Sequence, residues 1–221
     1  CGGSCYVVGF RLDMNTSVGM DGSYPLTSKT AGIDEAGRGP LAGPVVAAAV
    51  VLDPDKPING LGDSKTLKHD VRVALKSDIH ERSIRWALGC ANVEEIDRLN
   101  ILQATLLAMR RAVANLGISI EMALVDGNVD PGFGCPTNTI VRGDTKVAAI
   151  SAASILAKVA RDEVMVTASS KYPEYGFDQH KGYGTREHLI ALKQYGPSKI
   201  HRKTFAPVRD LLAANEVIRR R

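Results

Sequence analysis

Eight consecutive apolar residues, Val45-Val46-Ala47-Ala48-Ala49-Val50-Val51-Leu52, stand between a Gly/Pro-rich turn, Gly37-Arg38-Gly39-Pro40, and a stop at Pro54 and Pro57. A run this short, rich in Val and without a polar face, suits a β-strand covered on both sides. That demands a sheet with packed layers above and below it. Aromatic residues make up only 5% of the chain, so those layers are expected to be built from Val, Ile, Leu and Ala.

The neighbouring segments fit such a sheet. Ala31-Gly32-Ile33-Asp34 reads as a second short buried strand, ending on charged residues. Leu67 to Ile84 reads as a helix, and Ile84 to Ala91 as a strand. Between Val93 and Leu116, Ile96, Leu99, Leu102, Leu106, Met109 and Val113 recur at three- and four-residue steps, which predicts one amphipathic helix stopped by Gly117. Met122–Asp126 and Thr139–Arg142 read as strands. An Ala-rich helix follows over about Lys146 to Ser170, then shorter helices near Arg186–Tyr195 and Val208–Arg220. Strands come early and helices late, which predicts an α/β fold with a helical C-terminal part.

The 221 residues fit one compact domain with an appendage. Residues 1–28 are Gly-, Ser- and Thr-rich around a short apolar piece, Tyr6–Phe10, and read as an N-terminal extension or short leading strand, with Met14 or Met20 as an internal start. They lack the charged-then-apolar layout of a secretory signal. Residues 29–221 form the main domain. No stretch approaches the roughly 20 apolar residues of a membrane span. Cys1 and Cys5 form a lone C-x3-C without a second ligand pair, Cys90 reads as a buried small hydrophobe, and nothing demands an oxidising compartment. A soluble, cytoplasmic protein is expected. The net charge of +4 suits a polyanionic partner, although the basic run Lys199–Lys203 reads equally well as a solvated face.

Four acids stand where apolar strands end or helices begin: Asp34, Glu35, Asp126 and Asp144. Strand ends converge on one sheet edge, and clustered carboxylates repel unless a cation holds them. Hard divalent ions, Mg²⁺ or Mn²⁺, match oxygen ligands. Each acid taken alone also has a plainer reading: Asp144 as a helix N-cap, Asp126 before Gly127 as a turn former, Asp34-Glu35 as an exposed strand edge. Spacing leaves these alternatives open.

The string Gly32-Ile33-Asp34-Glu35-Ala36-Gly37-Arg38-Gly39-Pro40-Leu41-Ala42-Gly43-Pro44 closely resembles the opening motif of the bacterial ribonuclease HII family. The likeness continues through Asp63-Ser64-Lys65, Val125-Asp126-Gly127-Asn128, Gly143-Asp144-Thr145-Lys146 and Ser151 to Asp162. His180-Lys181-Gly182-Tyr183-Gly184-Thr185 and His201 to Pro207 complete it, so the resemblance spans about Thr30 to Leu212. Arg38 favours type HII over type HIII, whose motif reads Gly-Lys-Gly. The resemblance implies a ribonuclease H-like fold, with a mixed central sheet flanked by helices. It implies that Asp34, Glu35, Asp126 and Asp144 are the catalytic metal ligands, binding two Mg²⁺ or Mn²⁺ ions. The implied reaction cuts the RNA strand of RNA–DNA hybrids, and cuts 5′ to ribonucleotides embedded in duplex DNA, leaving 3′-hydroxyl and 5′-phosphate ends.

Within that resemblance, Gly37, Arg38 and Gly39 sense the ribose 2′-hydroxyl and Tyr183 packs on the sugar beside it. Ser64 and Lys65 touch the substrate backbone, and Lys146 adds a phosphate contact. The family implies a monomer; the sequence names no protein partner, a replication clamp included. Two rival readings are a non-catalytic RNA–DNA hybrid-binding protein of the same fold and a related nuclease acting on DNA junctions. Cleavage of a duplex with one embedded ribonucleotide, against an all-DNA duplex, separates the three.

Overall fold

The computed structural model describes residues 24, 26–62, 64 and 67–219. The readings made for residues 1–23, Pro25, Asp63, Lys65, Arg220 and Arg221 lie outside the described residues. Strands β1 (Thr30–Ala36), β2 (Val45–Leu52), β3 (Ser83–Ala91), β4 (Met122–Asp126) and β5 (Thr137–Ile140) form a mixed sheet in the order β3-β2-β1-β4-β5. β2 is antiparallel to β1 and β3, whereas β4 is parallel to β1 and β5 to β4. The helices are α1 (His69–Arg82), α2 (Val93–Leu99), α3 (Ile101–Asn115), α4 (Ala148–Lys171), α5 (Phe177–His180), α6 (Arg186–Tyr195) and α7 (Ala206–Arg219). No described helix is long and apolar enough to cross a membrane.

The expected two-sided burial of β2 holds. Val45, Ala47, Ala49 and Val51 pack with Ala104, Ala108, Met109 and Ala112 of α3. Ala48 and Val50 point the other way, onto Leu75 and Ile79 of α1 and Ala152, Ala153 and Ile155 of α4. Each large apolar side chain buried this way contributes roughly 1.5–3 kcal/mol relative to exposure. Two glycines let helices press onto the sheet at backbone distance. A Cβ at Gly32 would lie 2.1 Å from the Ala149 carbonyl carbon on α4, and one at Gly89 2.1 Å from the Ala108 carbonyl oxygen on α3.

Three local expectations are corrected. The helix expected from Val93 to Leu116 is broken at Asn100, where φ is 71° and ψ is 165°. That backbone lies outside the left-handed helical region and is strained for any residue but glycine, and the Asn100 side chain offsets it by capping the new helix, accepting from Gln103 N at 3.1 Å. Apolar spacing continues across the break, which is why periodicity alone missed it. The strand expected at Thr139–Arg142 runs instead over Thr137–Ile140, because Arg142 adopts a left-handed conformation with φ 57°. Cys90 is exposed: alternation along β3 sends Ala87 and Ala91 into the α3 core and turns Cys90 to the opposite face.

Beyond α4, a small core forms around Tyr175 and Phe177, with three histidines against it. His201 Nδ1 accepts from Ser198 N at 2.9 Å, so its proton sits on Nε2 and points at His188 Nε2, 3.0 Å away. His188 must then accept on Nε2 and donate from Nδ1 to the Tyr183 carbonyl at 2.8 Å. This relay works only with both rings neutral. Burial, reinforced by the neighbouring His188, lowers the His201 ring to about 4.

A Gly32→Ala substitution forces backbone against backbone, and we expect it to lower unfolding stability by about 3 kcal/mol in urea denaturation. For His201 the folded pKa lies below the unfolded value, so its neutral form contributes stability fully above pH 6.5, lost as pH falls toward 4. Proton NMR should place the His201 ring transition near pH 4. A transition near 6.5 would contradict the relay.

Candidate active site

β1 is the strand at which the sheet changes sense, antiparallel to β2 on one side and parallel to β4 on the other. Ligand sites in α/β sheets favour the carboxyl ends of strands at such a change. Ile33 pairs with Val125, so Asp34 and Asp126 lie one step further along adjacent strands, at those ends. Side chains alternate along a strand, so Asp34 shares the α4 face with Gly32, and Asp126 shares it with Leu124, which packs on Ala149 and Ile150. Asp126 Oδ1 accepts from Gly143 N at 2.6 Å. That bond pins a short 3₁₀ turn, Gly143–Thr145, to the end of β4, and the turn carries the buried Asp144. The N-cap of α4 is Val147, so the plain reading of Asp144 as that helix's cap does not hold.

The electrostatics match this crowding. Burial raises the Asp34 carboxyl well above its ordinary range, and the charges of Glu35 and Asp126 push it further the same way. A hydrogen bond from Ser154 and one from Glu35 N, at 2.6 Å to Asp34 Oδ1, oppose the rise. Glu35 is also raised, by burial and by Asp126, with Arg38 opposing. Arg38 Nη1 lies 3.4 Å from Glu35 Oε1 and is half exposed. One exposed arginine is little countercharge for this many acids. Among the described residues, no three His, Cys, Asp or Glu side chains are drawn tightly enough together to form a ready cation cage. Mutual repulsion disfavours that closure, and the donor set, all hard carboxylate oxygens, fits a hard divalent ion.

Beside these acids opens a cleft of about 470 Å³. Glu35 to Gly39 form one wall, Tyr183 the other, and Ser64 and Ser154 lie between, with Arg72 and Lys158 supplying positive charge. Gly37 is held at φ 99°, and a Cβ there would collide with Arg161 Nε at 2.0 Å. A Cβ on Gly39 would sit 3.7 Å from Tyr183 Cε1, so Gly39 faces the tyrosine across the gap. The Ser64 hydroxyl is 2.8 Å from that of Ser154, which links it to Asp34.

Of the residues singled out by sequence, Asp34, Glu35, Gly37, Arg38, Gly39, Ser64, Asp126 and Tyr183 come together here, with Asp144 one residue beyond the Gly143 amide. Lys146 does not line this cleft; its ammonium donates to the Val141 carbonyl at 2.7 Å. The run Lys199–Lys203 is not one basic face either, since His201 and Arg202 are buried. Sequence reasoning missed Arg72, Ser154, Lys158, Arg161 and Arg202. All but Arg72 fall inside the motif strings, which was the available signal.

Comparison with known proteins agrees with this geometry. The family model described as ribonuclease HII matches residues 31–208. The chain is 60% identical over 182 residues to a ribonuclease HII of Nitrosospira multiformis, covering 82% of this chain and 92% of that one. It is 56% identical over 185 residues to a ribonuclease HII of Bordetella pertussis, covering 84% and 92%. Among solved structures, the ribonuclease H2 of Pyrococcus horikoshii is similar at a TM-score of 0.68 and 31% identity, covering 82% of this chain and 96% of that one. Since the family model spans most of the chain and both bacterial relatives match it over nearly their whole length, this chain belongs to the ribonuclease HII family.

Proposed function

We propose that Asp34, Glu35, Asp126 and Asp144 hold two Mg²⁺ or Mn²⁺ ions beside the Gly37–Gly39 loop, and that the enzyme there cuts on the 5′ side of a ribonucleotide. As a member of its family, the chain is an endoribonuclease acting on RNA–DNA hybrids. The observation that supports the site assignment is the position of Asp34 and Asp126 one step beyond the Ile33–Val125 pair of parallel strands, their negative charge concentrated against a cleft. When bound, such ions supply Lewis acidity at the scissile phosphate and lower the pKa of the attacking water.

The chain's own residues do the rest. Ser154 donates to Asp34 and so fixes the orientation of a carboxylate that would otherwise tend to protonate in its buried setting. The Gly143 amide does the same for Asp126. Gly37, Arg38 and Gly39 read the ribose 2′-hydroxyl, because only backbone without a bulky side chain lets a sugar approach so closely. Tyr183 packs on the neighbouring sugar, and Arg38, Ser64, Lys65 and Lys146 contact the substrate backbone. Products carry 3′-hydroxyl and 5′-phosphate ends.

Replacing Asp34 by Asn, or Asp126 by Asn, should lower cleavage of a duplex with one embedded ribonucleotide by roughly 10³-fold or more, and EDTA should do the same to the wild type. Binding of that duplex should persist in both variants; full activity in either removes the metal-site assignment. Gly39→Ala leaves the fold intact but narrows the gap to Tyr183. It should raise KM roughly tenfold with an unchanged melting temperature. An unchanged KM would place the substrate sugar elsewhere.

A further inference from the structure

Two arginines lie wholly buried beneath the Gly37–Pro44 loop, Arg161 at 1% exposure and Arg202 at 0%. Among the described residues neither is in an ion pair. Their donors go to backbone carbonyls instead. Arg202 Nη2 donates to the Gly37 carbonyl at 2.6 Å and to the Pro44 carbonyl at 3.2 Å. Its Nη1 donates to the Arg38 carbonyl at 2.9 Å and its Nε to that of Gly43 at 2.9 Å. Arg161 holds the far limb of the loop, through the Pro44 and Ala42 carbonyls, both at 3.1 Å.

Burying a guanidinium without a counter-ion is costly, and the second arginine adds repulsion. What the planar fork achieves is simultaneous capture of carbonyls from both limbs, which a lysine ammonium on its flexible stem does not reproduce. Capture also fixes direction. In a trans peptide the C=O and the following N–H point opposite ways. With the Gly37 and Arg38 carbonyls turned down onto Arg202, the amides of Arg38 and Gly39 are turned up, on the segment that walls the cleft. Among the described residues neither amide donates to a backbone carbonyl.

We propose that Arg202 is a positioning residue for sugar discrimination: by gripping the Gly37 and Arg38 carbonyls it presents the Arg38 and Gly39 amides as a preset donor pair to the ribose 2′-hydroxyl oxygen. The inference rests on the reading of Gly37-Arg38-Gly39 as the 2′-hydroxyl sensor and assigns what aims it. A deoxyribose offers those donors no acceptor, so a bound DNA sugar would leave them unmet.

The test uses the full chain and two duplexes that differ by a single ribose in place of deoxyribose. Fluorescence anisotropy in Ca²⁺ gives the affinity ratio between them for the wild type, for Arg202→Lys, and for Met109→Ala. Met109→Ala is a destabilised control in the α3 core, remote from the loop. Arg202→Lys should reduce the ribose preference roughly tenfold, the worth of a well-made hydrogen bond, while the control keeps it despite a lowered melting temperature. A folded Arg202→Lys with wild-type preference overturns the proposal. Should that variant not fold, amide hydrogen exchange on the wild type decides: the Arg38 and Gly39 amides must be protected by the ribonucleotide duplex and not by the all-DNA one. Equal protection overturns it. A wild type with no ribose preference at all defeats instead the sensor reading on which the proposal rests.

Discussion

The contact on which the rest of the site depends is the backbone approach of α4 to β1. Gly32 meets Ala149 and Ile150 with no room for a methyl group, and Ala152, Ala153 and Ala157 continue the close-packed face. An Ala-rich helix loses little side-chain entropy on burial and can lie nearly flush with a strand. From that position α4 delivers Ser154 to Asp34, Lys158 to the cleft and Arg161 to the loop beyond. Moving α4 outward by the width of one methyl would loosen all three at once. The functional side chains sit on rigid elements whose spacing is set by glycine and alanine, which is the condition for holding a reactive geometry without substrate.

Opposite charges are kept apart on the two sides of the Gly37–Pro44 loop. Asp34, Glu35 and Asp126 crowd one side; Arg161 and Arg202 lie beneath the other. Direct pairing would satisfy both groups, and the fold avoids it by giving the arginines carbonyl partners. The consequence is functional. Carboxylates neutralised by internal arginines would have little affinity left for divalent ions, so the proposed role of these acids requires that separation, and the guanidinium in an ion pair with Glu35 is the half-exposed Arg38.

Much of this was legible in the sequence because it leaves local marks. Apolar runs report burial, so β2 and α4 were readable, and the acids at strand ends were found by position before any family likeness was considered. Asn100 left a weaker mark, since a residue able to cap a helix need not do so. Arg202 left none. Its partner Gly37 is 165 residues away in sequence, and a charge whose donors are all met by distant carbonyls looks like any solvated basic residue. Lys146 shows the converse: a Lys two residues after Asp144 reads as a phosphate contact, and nothing in its spacing signals that the ammonium rests on the Val141 carbonyl, off the lining of the cleft.

The two walls of the cleft are tied to one dipeptide. Arg202 holds the Gly37 and Arg38 carbonyls, while the adjacent His201 reaches the Tyr183 carbonyl through His188. Backbone bonds from Leu41 N to the Gly182 carbonyl and from Arg202 N to the Leu41 carbonyl close the frame between them. The gap between Gly39 and Tyr183 is therefore set from beneath, by buried groups that never meet the substrate. Burying the dipeptide incurs the desolvation of one guanidinium and one imidazole, and in exchange the width of the cleft varies only as the core itself varies.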